Sequence, residues 1–186
     1  MNDRLSKIKL LAMDVDGTLT SGEMIIFNGH QIKMFNVYDG LGVRLAMTYG
    51  LRIAWITGNV STAVTDRAAS LGVTDVYQGA RLKTEALDDL ASRYSLSLTE
   101  IAYMGDDLND LPAFEHAGFT IAVNNAANEL KDRADMVTTL SGGRGAVREA
   151  IETILKARGE WDKAVEGYLS ELRREQESKT GPEAVA

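Results

Sequence analysis

Short apolar runs typical of buried strands alternate with predicted helices through most of this chain, and this alternation constrains the fold more than any other feature. Strands alternating with helices indicate a parallel sheet with helices on both faces. The predicted strands begin at Leu10 and continue at 51–56, 73–77, 101–104, 119–123 and 136–138. The predicted helices lie at about 42–49, 61–69 and 83–94, from Pro112 to near Gly118, and at 145–172 with an interruption at Gly159. We therefore predict an α/β fold, a Rossmann-like three-layer sandwich around a central, mainly parallel sheet.

A β-hairpin at about 23–35 is the one long interruption of this alternation. The β-prone runs 23–27 and 31–35 flank Asn28-Gly29-His30, and Asn-Gly between two such runs is a strong hairpin signal. A polar, glycine-rich turn is predicted next, at 36–42. The hairpin is too small to form a separate cap domain, so a site at the strand ends stays open unless another chain covers it.

One domain accounts for residues 1–177. A length of 186 residues suits a single domain that buries its own core. We find no internal repeat, low-complexity linker or second domain in the sequence. The segment 178–186 is polar and rich in small residues, and we predict a disordered tail there.

Composition excludes several classes of partner. No stretch approaches the roughly 18 apolar residues of a membrane helix, and the first residues lack the pattern of a secretory signal. The absence of cysteine excludes disulfides and thiolate metal sites, and it fits a reducing compartment. A net charge of -7 argues against nucleic acid as the main partner. We expect a cytoplasmic protein that binds neither nucleic acid nor membrane.

Polar side chains follow three of the predicted strands at the point where each strand ends. They belong to the segments Asp14-x-Asp16-Gly17-Thr18, Thr57-Gly58-Asn59 and Gly105-Asp106-Asp107-x-x-Asp110, with Lys83 between the last two. Open α/β sheets bind ligands beyond the carboxyl ends of their strands, so these groups can converge in one cleft. Considered alone, the first segment is also compatible with a simple acidic turn, since Asp and Gly are common turn residues.

The residue types in such a cleft indicate its chemistry. Three or more carboxylates packed together must bind a cation or raise one another's pKa. Aspartate oxygens without nearby histidine or cysteine suit a hard ion such as Mg²⁺. A metal held by carboxylates beside a lysine and a hydroxyl is typical of sites for phosphoryl transfer. In such sites a carboxylate can also be the nucleophile.

The order and spacing of these segments resemble the four motifs of the haloacid dehalogenase-like (HAD) phosphatases. The resemblance implies a Mg²⁺-dependent phosphomonoesterase that works through an aspartyl-phosphate. Asp14 is then the nucleophile and a metal ligand, and Asp16 is the general acid/base, whose backbone carbonyl also binds the metal. Thr57 and Lys83 hold the phosphoryl oxygens. Asp106 is the acidic metal ligand, supported from close by through Asp107 and Asp110.

Four further segments, 35–44, 66–67, 77–79 and 142–149, resemble the small cap-less members that act on 3-deoxy-D-manno-octulosonate 8-phosphate (KDO 8-phosphate) in lipopolysaccharide biosynthesis. This resemblance implies a homotetramer in which the hairpins build a barrel between subunits and a neighbour's C-terminal segment closes the site. It also implies substrate contacts. The residues concerned are Asn36, Val37, Tyr38, Asp39, Gly40, Arg44, Asn59, Arg67, Lys83 and Arg144, the last toward a neighbouring subunit.

Two positions depart from that family. Tyr38 and Asn59 stand where the family commonly has arginine, and both lie in stretches that contact substrate. The alternative substrates are a nine-carbon sialic-acid-type 9-phosphate or another small phosphorylated metabolite. Alternatives of another class are an inactive HAD-fold scaffold or regulatory subunit, and a receiver domain, which Asp16-Gly17-Thr18 and the second acidic cluster disfavour.

Four aromatic and imidazole side chains have structural interpretations. We predict that His30 is an exposed turn residue and that His116 is a polar residue near a helix end. Trp55 belongs to the core, whereas Trp161 is predicted to pack against another subunit.

Overall fold

Six parallel strands form the central sheet of the computed structural model, which describes residues 2–180. Including a separate hairpin, the strands are β1 (Leu10–Met13), β2 (Ile25–Phe27), β3 (His30–Ile32), β4 (Arg52–Thr57), β5 (Asp75–Gln78), β6 (Ile101–Gly105), β7 (Phe119–Ala122) and β8 (Met136–Val137). The order across the sheet is β5-β4-β1-β6-β7-β8, with every adjacent pair parallel. β1 lies between β4 and β6, and its side chains are fully buried, as expected for the apolar run that starts at Leu10.

Helices flank the sheet. They are α1 (Asn2–Leu5), α2 (Val37–Thr48), α3 (Thr62–Leu71), α4 (Lys83–Tyr94), α5 (Leu111–His116), α6 (Asn128–Lys131), α7 (Ala146–Ala157) and α8 (Trp161–Thr180). α2 packs against α7 and α8, whereas α4 packs against α5 and β4. This architecture confirms the predicted α/β fold class. Within residues 2–180, no helix combines the length and apolar character needed to cross a bilayer.

α2 begins five residues before its predicted start at 42, so the predicted turn at 36–42 is wrong. Asn36 is the N-cap, and its side chain accepts a hydrogen bond of 2.8 Å from the backbone N–H of Tyr38. The glycines that indicated a turn serve packing instead. A Cβ on Gly40 would lie 2.3 Å from the Arg67 guanidinium, and one on Gly42 would lie 2.9 Å from the Arg148 side chain.

The C-terminal segment is interrupted at Gly159, as predicted, and forms two helices. The break follows Ala157 and includes Gly159, which has a φ of +69° that favours glycine. α8 continues to Thr180, beyond the predicted end at 172, because residues 173–178 are mostly good helix formers. The predicted tail is therefore helical at 178–180, and its remainder, 181–186, lies outside the described residues.

The hairpin forms where it was predicted, with β2 and β3 antiparallel. Asn28 and Gly29 make the turn, and both have the positive φ that such a two-residue turn requires. His30 is the first residue of β3, opposite Phe27, and not part of the turn as predicted. The apolar side chains of Ile26, Phe27 and Met34 are each more than 60% exposed.

The aromatic predictions have different outcomes. Trp55 is fully buried, as predicted, and its ring stacks on Phe35 with centroids 6.1 Å apart. The guanidinium of Arg148 lies 4.9 Å from the ring centroid of Trp161, and the packing of Trp161 against another subunit stays a prediction. His116, the last residue of α5, contacts Asp88 through Nε2 at 2.6 Å.

Candidate active site

The carboxyl ends of β1, β4 and β6 lie side by side and bring the predicted polar segments together. Met13 at the end of β1 is in register with Trp55 of β4 and Met104 of β6. Asp14 continues the β1 ladder by donating its backbone N–H to Met104 O at 2.9 Å. Asp14 and Asp106 therefore follow β1 and β6, and Thr57 ends β4, at one edge of the sheet, as expected for an α/β binding site.

Lys83 lies between two carboxylates in the interior of this site. Its Nζ is 2.5 Å from Asp14 Oδ1 and 2.5 Å from Asp110 Oδ1, and the lysine side chain is 2% exposed. It is the first residue of α4, so the helix start carries the ammonium to the end of β1. Burial alone would lower the pKa of Lys83, but the charges of Asp14 and Asp110 raise it above its ordinary value. The lysine is therefore a fixed positive charge beside Asp14.

Asp110 is fully buried and holds this corner of the site together. Besides Lys83, its Oδ1 accepts a 2.7 Å hydrogen bond from the Tyr103 hydroxyl. Its Oδ2 accepts from the backbone N–H groups of Asp106 at 2.9 Å and Asp107 at 3.3 Å. A carboxylate with four donors orients its neighbours, and Asp110 thereby sets both the loop after β6 and the position of Lys83.

The carboxyl groups of Asp14 and Asp106 both have pKa values above the ordinary value for aspartate. Burial raises the pKa of Asp14 to about 6, although Lys83 acts in the opposite direction. Burial, together with the charges of Asp14 and Asp110, raises the pKa of Asp106 to about 7. A cation between Asp14 and Asp106 would relieve both the desolvation and the repulsion.

A cation fits this cluster. One carboxylate oxygen each of Asp14, Asp106 and Asp110 lies within 4.8 Å of the other two. Because Asp110 already accepts four hydrogen bonds, Asp14 and Asp106 are the better ligands. Gly17 allows the approach of Asp106, since a Cβ there would lie 2.0 Å from Asp106 Oδ2. All-oxygen ligands from one or two carboxylates suit Mg²⁺, which retains water or phosphate oxygens at its other positions.

Asp107, predicted to support the metal site, is exposed. Its Oδ1 accepts a 2.8 Å hydrogen bond from the backbone N–H of Leu108 and caps the helical turn Leu108–Asp110. Its contribution to the site is therefore through the shape of the loop after β6.

The Asp16 carboxylate is not part of the cluster of Asp14, Asp106 and Asp110 and has its own hydrogen-bond partners. Its Oδ2 accepts from Asn59 Nδ2 at 3.0 Å and from Thr57 Oγ1 at 3.3 Å, and its Oδ1 is bonded to the ammonium of Lys33. Burial acts to raise the pKa of Asp16, but the hydrogen bonds from Asn59 and Lys33 outweigh it and hold the pKa below its ordinary value. Asp16 is thus ionised while Lys33 and Asn59 bind it.

Lys33 was not predicted as a site residue. Its side chain is 6% exposed, whereas those of its neighbours Ile32 and Met34 face outward. The local sequence gives no signal for this inward position, because here the apolar Ile32 and Met34 face out and Lys33 faces in. The usual expectation for a hairpin packed on a domain is the reverse.

A cavity of about 400 Å³ lies between the hairpin and the loop after β1. Asn36 and Arg144 line it, together with Thr20, Phe35 and Met34. Asn36 also donates from Nδ2 to Gly143 O at 3.3 Å, which ties the start of α2 to the loop that carries Arg144. Asn36 and Arg144, both predicted to contact substrate, therefore border one cavity beside the loop that follows β1.

Asp39 has a role in the fold that the sequence did not reveal. It is 1% exposed, and its carboxylate accepts from the backbone N–H groups of Arg148 at 2.8 Å and Gly145 at 3.3 Å. These are N–H groups at the start of α7, so Asp39 caps that helix from α2. The Asp39 carboxylate accepts both hydrogen bonds of this cap, and its predicted contact with substrate stays a prediction.

The other predicted substrate residues lie around α2. Val37 and Tyr38 are exposed in its first turn, and Gly40 packs against Arg67, whose guanidinium lies 6.0 Å from the Phe35 ring centroid. Arg44 is exposed at mid-helix and lines a groove against α8 with Tyr168. The structure thus brings Asp14, Asp16, Thr57, Lys83, Asn59, Asp106 and Asp110 together, and places Arg44 on α2 and Arg67 on α3, packed against Gly40 of α2.

The chain is similar to known proteins in both sequence and structure. A family model described as haloacid dehalogenase-like hydrolase matches residues 54–151. The chain is 44% identical over 162 residues to 3-deoxy-D-manno-octulosonate 8-phosphate phosphatase KdsC of Escherichia coli (strain K12), covering 87% of this chain and 86% of that protein.

Solved structures that are similar to this chain include phosphatases of the same kind. A 3-deoxy-D-manno-octulosonate 8-phosphate phosphatase from Moraxella catarrhalis, in complex with a magnesium ion, a phosphate ion and a KDO molecule, is 41% identical with a TM-score of 0.87. That match covers 90% of this chain and 97% of the other. The corresponding phosphatase from Yersinia pestis is 39% identical with a TM-score of 0.85, covering 87% and 88%. The similarity therefore extends over most of each protein.

Proposed function

Because the chain belongs to the haloacid dehalogenase-like hydrolase family, we propose that it is a Mg²⁺-dependent phosphatase that hydrolyses 3-deoxy-D-manno-octulosonate 8-phosphate to the free sugar acid and phosphate. The observation that carries the proposal is the contact of Lys83 with Asp14 at the end of β1, with Thr57 and Asp106 on the adjacent strand ends. The substrate is the one named for the relatives of 39–44% identity.

Asp14 and Asp106, with the backbone carbonyl of Asp16, would hold the metal. When bound, Mg²⁺ supplies positive charge that offsets the charge of the phosphoryl oxygens and fixes their orientation. Lys83 adds a positive charge beside Asp14, and the Thr57 hydroxyl would donate a hydrogen bond to a phosphoryl oxygen of the substrate. The charge of Lys83 favours the ionised, nucleophilic form of Asp14.

The reaction then takes two steps. In the first step, an oxygen of Asp14 attacks phosphorus in line with the sugar oxygen. The bond between phosphorus and the sugar oxygen breaks, and Asp16 gives its proton to the sugar oxygen. In the second, Asp16 takes a proton from water as the water oxygen bonds to phosphorus, and the bond from phosphorus to Asp14 breaks to release phosphate. A phosphoryl group beside Asp16 raises the proton affinity of this carboxylate, as the first step requires.

Release of inorganic phosphate from a substrate panel tests the proposal. The panel contains KDO 8-phosphate, a sialic-acid-type 9-phosphate, ribose 5-phosphate and p-nitrophenyl phosphate, each with excess Mg²⁺ and after EDTA treatment. We expect the highest kcat/KM for KDO 8-phosphate and no turnover without the metal. The nine-carbon ester is the alternative substrate, because Asn59 departs from the common family arginine, and a higher kcat/KM for that ester would replace the substrate assignment. No turnover of any ester with Mg²⁺ would support an inactive scaffold instead.

We further propose that the chain assembles as a homotetramer in the cytoplasm. The exposed apolar side chains of the hairpin, Ile26, Phe27 and Met34 among them, support an assembly that covers them. The lack of cysteine supports a reducing compartment. Light scattering of the purified protein tests the oligomeric state, and a monomer at micromolar concentration would contradict it.

A further inference from the structure

Lys33 reaches from the hairpin into the strand-end site. It directly follows β3, and its ammonium is bonded to Asp16 Oδ1. Only 6% of its side chain is exposed, although the hairpin itself is largely exposed. Burying an ammonium costs free energy unless it is paired, so the contact with Asp16 is what stabilises this side chain in its position.

The two oxygens of Asp16 face different parts of the molecule. Oδ2 accepts from Oγ1 of Thr57, the last residue of β4, and from Nδ2 of Asn59, two residues further on, at the proposed phosphoryl side of the site. Oδ1 faces the hairpin and Lys33. A general acid must present a particular oxygen within hydrogen-bond reach of the atom that it protonates. In this geometry, the oxygen beside Thr57 is the one that can do so.

We propose that Lys33 is a positioning residue for the general acid: by binding Oδ1 it turns Oδ2 of Asp16 toward the leaving oxygen. This inference rests on the proposed phosphatase function. In the first step, the proton passes from Asp16 Oδ2 to the sugar oxygen as the bond from that oxygen to phosphorus breaks, and Lys33 keeps its own protons throughout. The placement of the hairpin is thereby coupled to proton transfer.

Esters with different leaving groups distinguish a positioning role of Lys33 from a structural or phosphate-binding role. A sugar alkoxide needs a proton to leave, whereas p-nitrophenolate leaves without one, and kcat/KM covers only the steps up to the first irreversible bond cleavage. The esters are KDO 8-phosphate, ribose 5-phosphate, which lacks the carboxylate, and p-nitrophenyl phosphate. The variants are Lys33→Met, Lys33→Arg and, as a matched control, Lys9→Met, which removes an exposed lysine paired with Glu100 outside the site.

We expect Lys33→Met to lower kcat/KM by about 10- to 100-fold for both sugar phosphates and by less than about 3-fold for p-nitrophenyl phosphate. Lys33→Arg should recover most of the loss, and Lys9→Met should resemble the wild type on all three esters. A loss confined to KDO 8-phosphate would overturn the proposal in favour of a contact with the sugar-acid carboxylate.

Equal losses on all three esters, or no loss, would also overturn it, because a structural or phosphate-binding role makes no distinction between leaving groups. Circular dichroism of Lys33→Met, compared with Lys33→Arg, separates a folding defect from the kinetic effect. Wild-type turnover of the three esters is the separate check on the phosphatase function itself, and its absence would overturn that function together with this inference.

Discussion

Lys83 Nζ lies 2.5 Å from Asp14 Oδ1, with 2% of the lysine side chain and 5% of the aspartate side chain exposed. The two residues come from the first turn of α4 and the end of β1, and neither has bulk water to stabilise its charge. Each charge therefore depends on the other. Asp14, the proposed nucleophile, is therefore also one of the buried charges that stabilise Lys83 in the interior.

Replacing Lys83 should cost both stability and activity. Lys83→Met leaves the carboxylates of Asp14 and Asp110 buried without their cation, and breaking such a pair costs about 3–5 kcal/mol in the free energy of unfolding. Urea denaturation at neutral pH measures this loss. Lys156→Met, which removes an exposed lysine paired with Glu152, is the control and should cost less than about 1 kcal/mol. Equal costs for the two variants would contradict the dependence.

Asp14→Asn should abolish turnover and leave the fold intact. The amide has the size of the carboxylate but cannot form an acyl phosphate, so we expect kcat to fall by at least about 10³-fold. Phosphate release and circular dichroism test the two halves of this prediction. Mass spectrometry of the variant excludes deamidation back to aspartate, and substantial activity without deamidation would remove Asp14 from the role of nucleophile.

Stability without the metal should fall as the pH rises. Burial raises the pKa of Asp14 to about 6 and that of Asp106 to about 7, above the ordinary value of 3.8 that applies to the unfolded chain. The folded protein then binds more protons than the unfolded chain between these values. The contribution of the two groups to stability is complete below pH 3.8 and is lost as the pH rises through 6 to 7.

Mg²⁺ should reverse this trend, because it binds the ionised carboxylates. We expect the increase in Tm caused by excess Mg²⁺ over EDTA to be larger at about pH 7.5 than at about pH 5. Differential scanning fluorimetry measures both. Asp106→Asn removes one of the two carboxylates and should reduce the difference, whereas an equal Mg²⁺ effect at both pH values would argue against a metal site at Asp14 and Asp106.

Asp39 should affect stability more than catalysis. Its carboxylate caps α7 through the N–H groups of Gly145 and Arg148, so Asp39→Ala should cost about 1–2 kcal/mol of unfolding free energy. Asp39→Asn keeps one acceptor oxygen and should lose less. A rise in KM with no loss of stability would favour the substrate contact implied by the family resemblance.

Much of the site was predictable because its residues follow apolar runs. Asp14, Thr57 and Asp106 each end a strand, and the alternation of strands with helices implied a parallel sheet, so their convergence followed from topology. The start of α2 was not predictable in this way. Gly40 and Gly42 have the composition of a turn, and only the closeness of Arg67 and Arg148 explains them.

Lys33 and Asp39 could not be assigned from local pattern for a related reason. Their partners, Asp16 and the start of α7, lie 17 and more than 100 residues away, and no spacing rule encodes contacts of that kind. Asp110 was placed near the metal by resemblance, but its four hydrogen bonds depend on Tyr103 and Lys83 reaching it from other elements.

The position of Lys83 also has a consequence for how the chain acquires its activity. The lysine joins Asp14, 69 residues before it, to Asp110, 27 residues after it, so no local segment contains the site. Loop closure over such separations is slow compared with helix formation. Recovery of phosphatase activity during refolding therefore reports the completion of the central sheet. The rate of that recovery measures the folding rate of the whole domain.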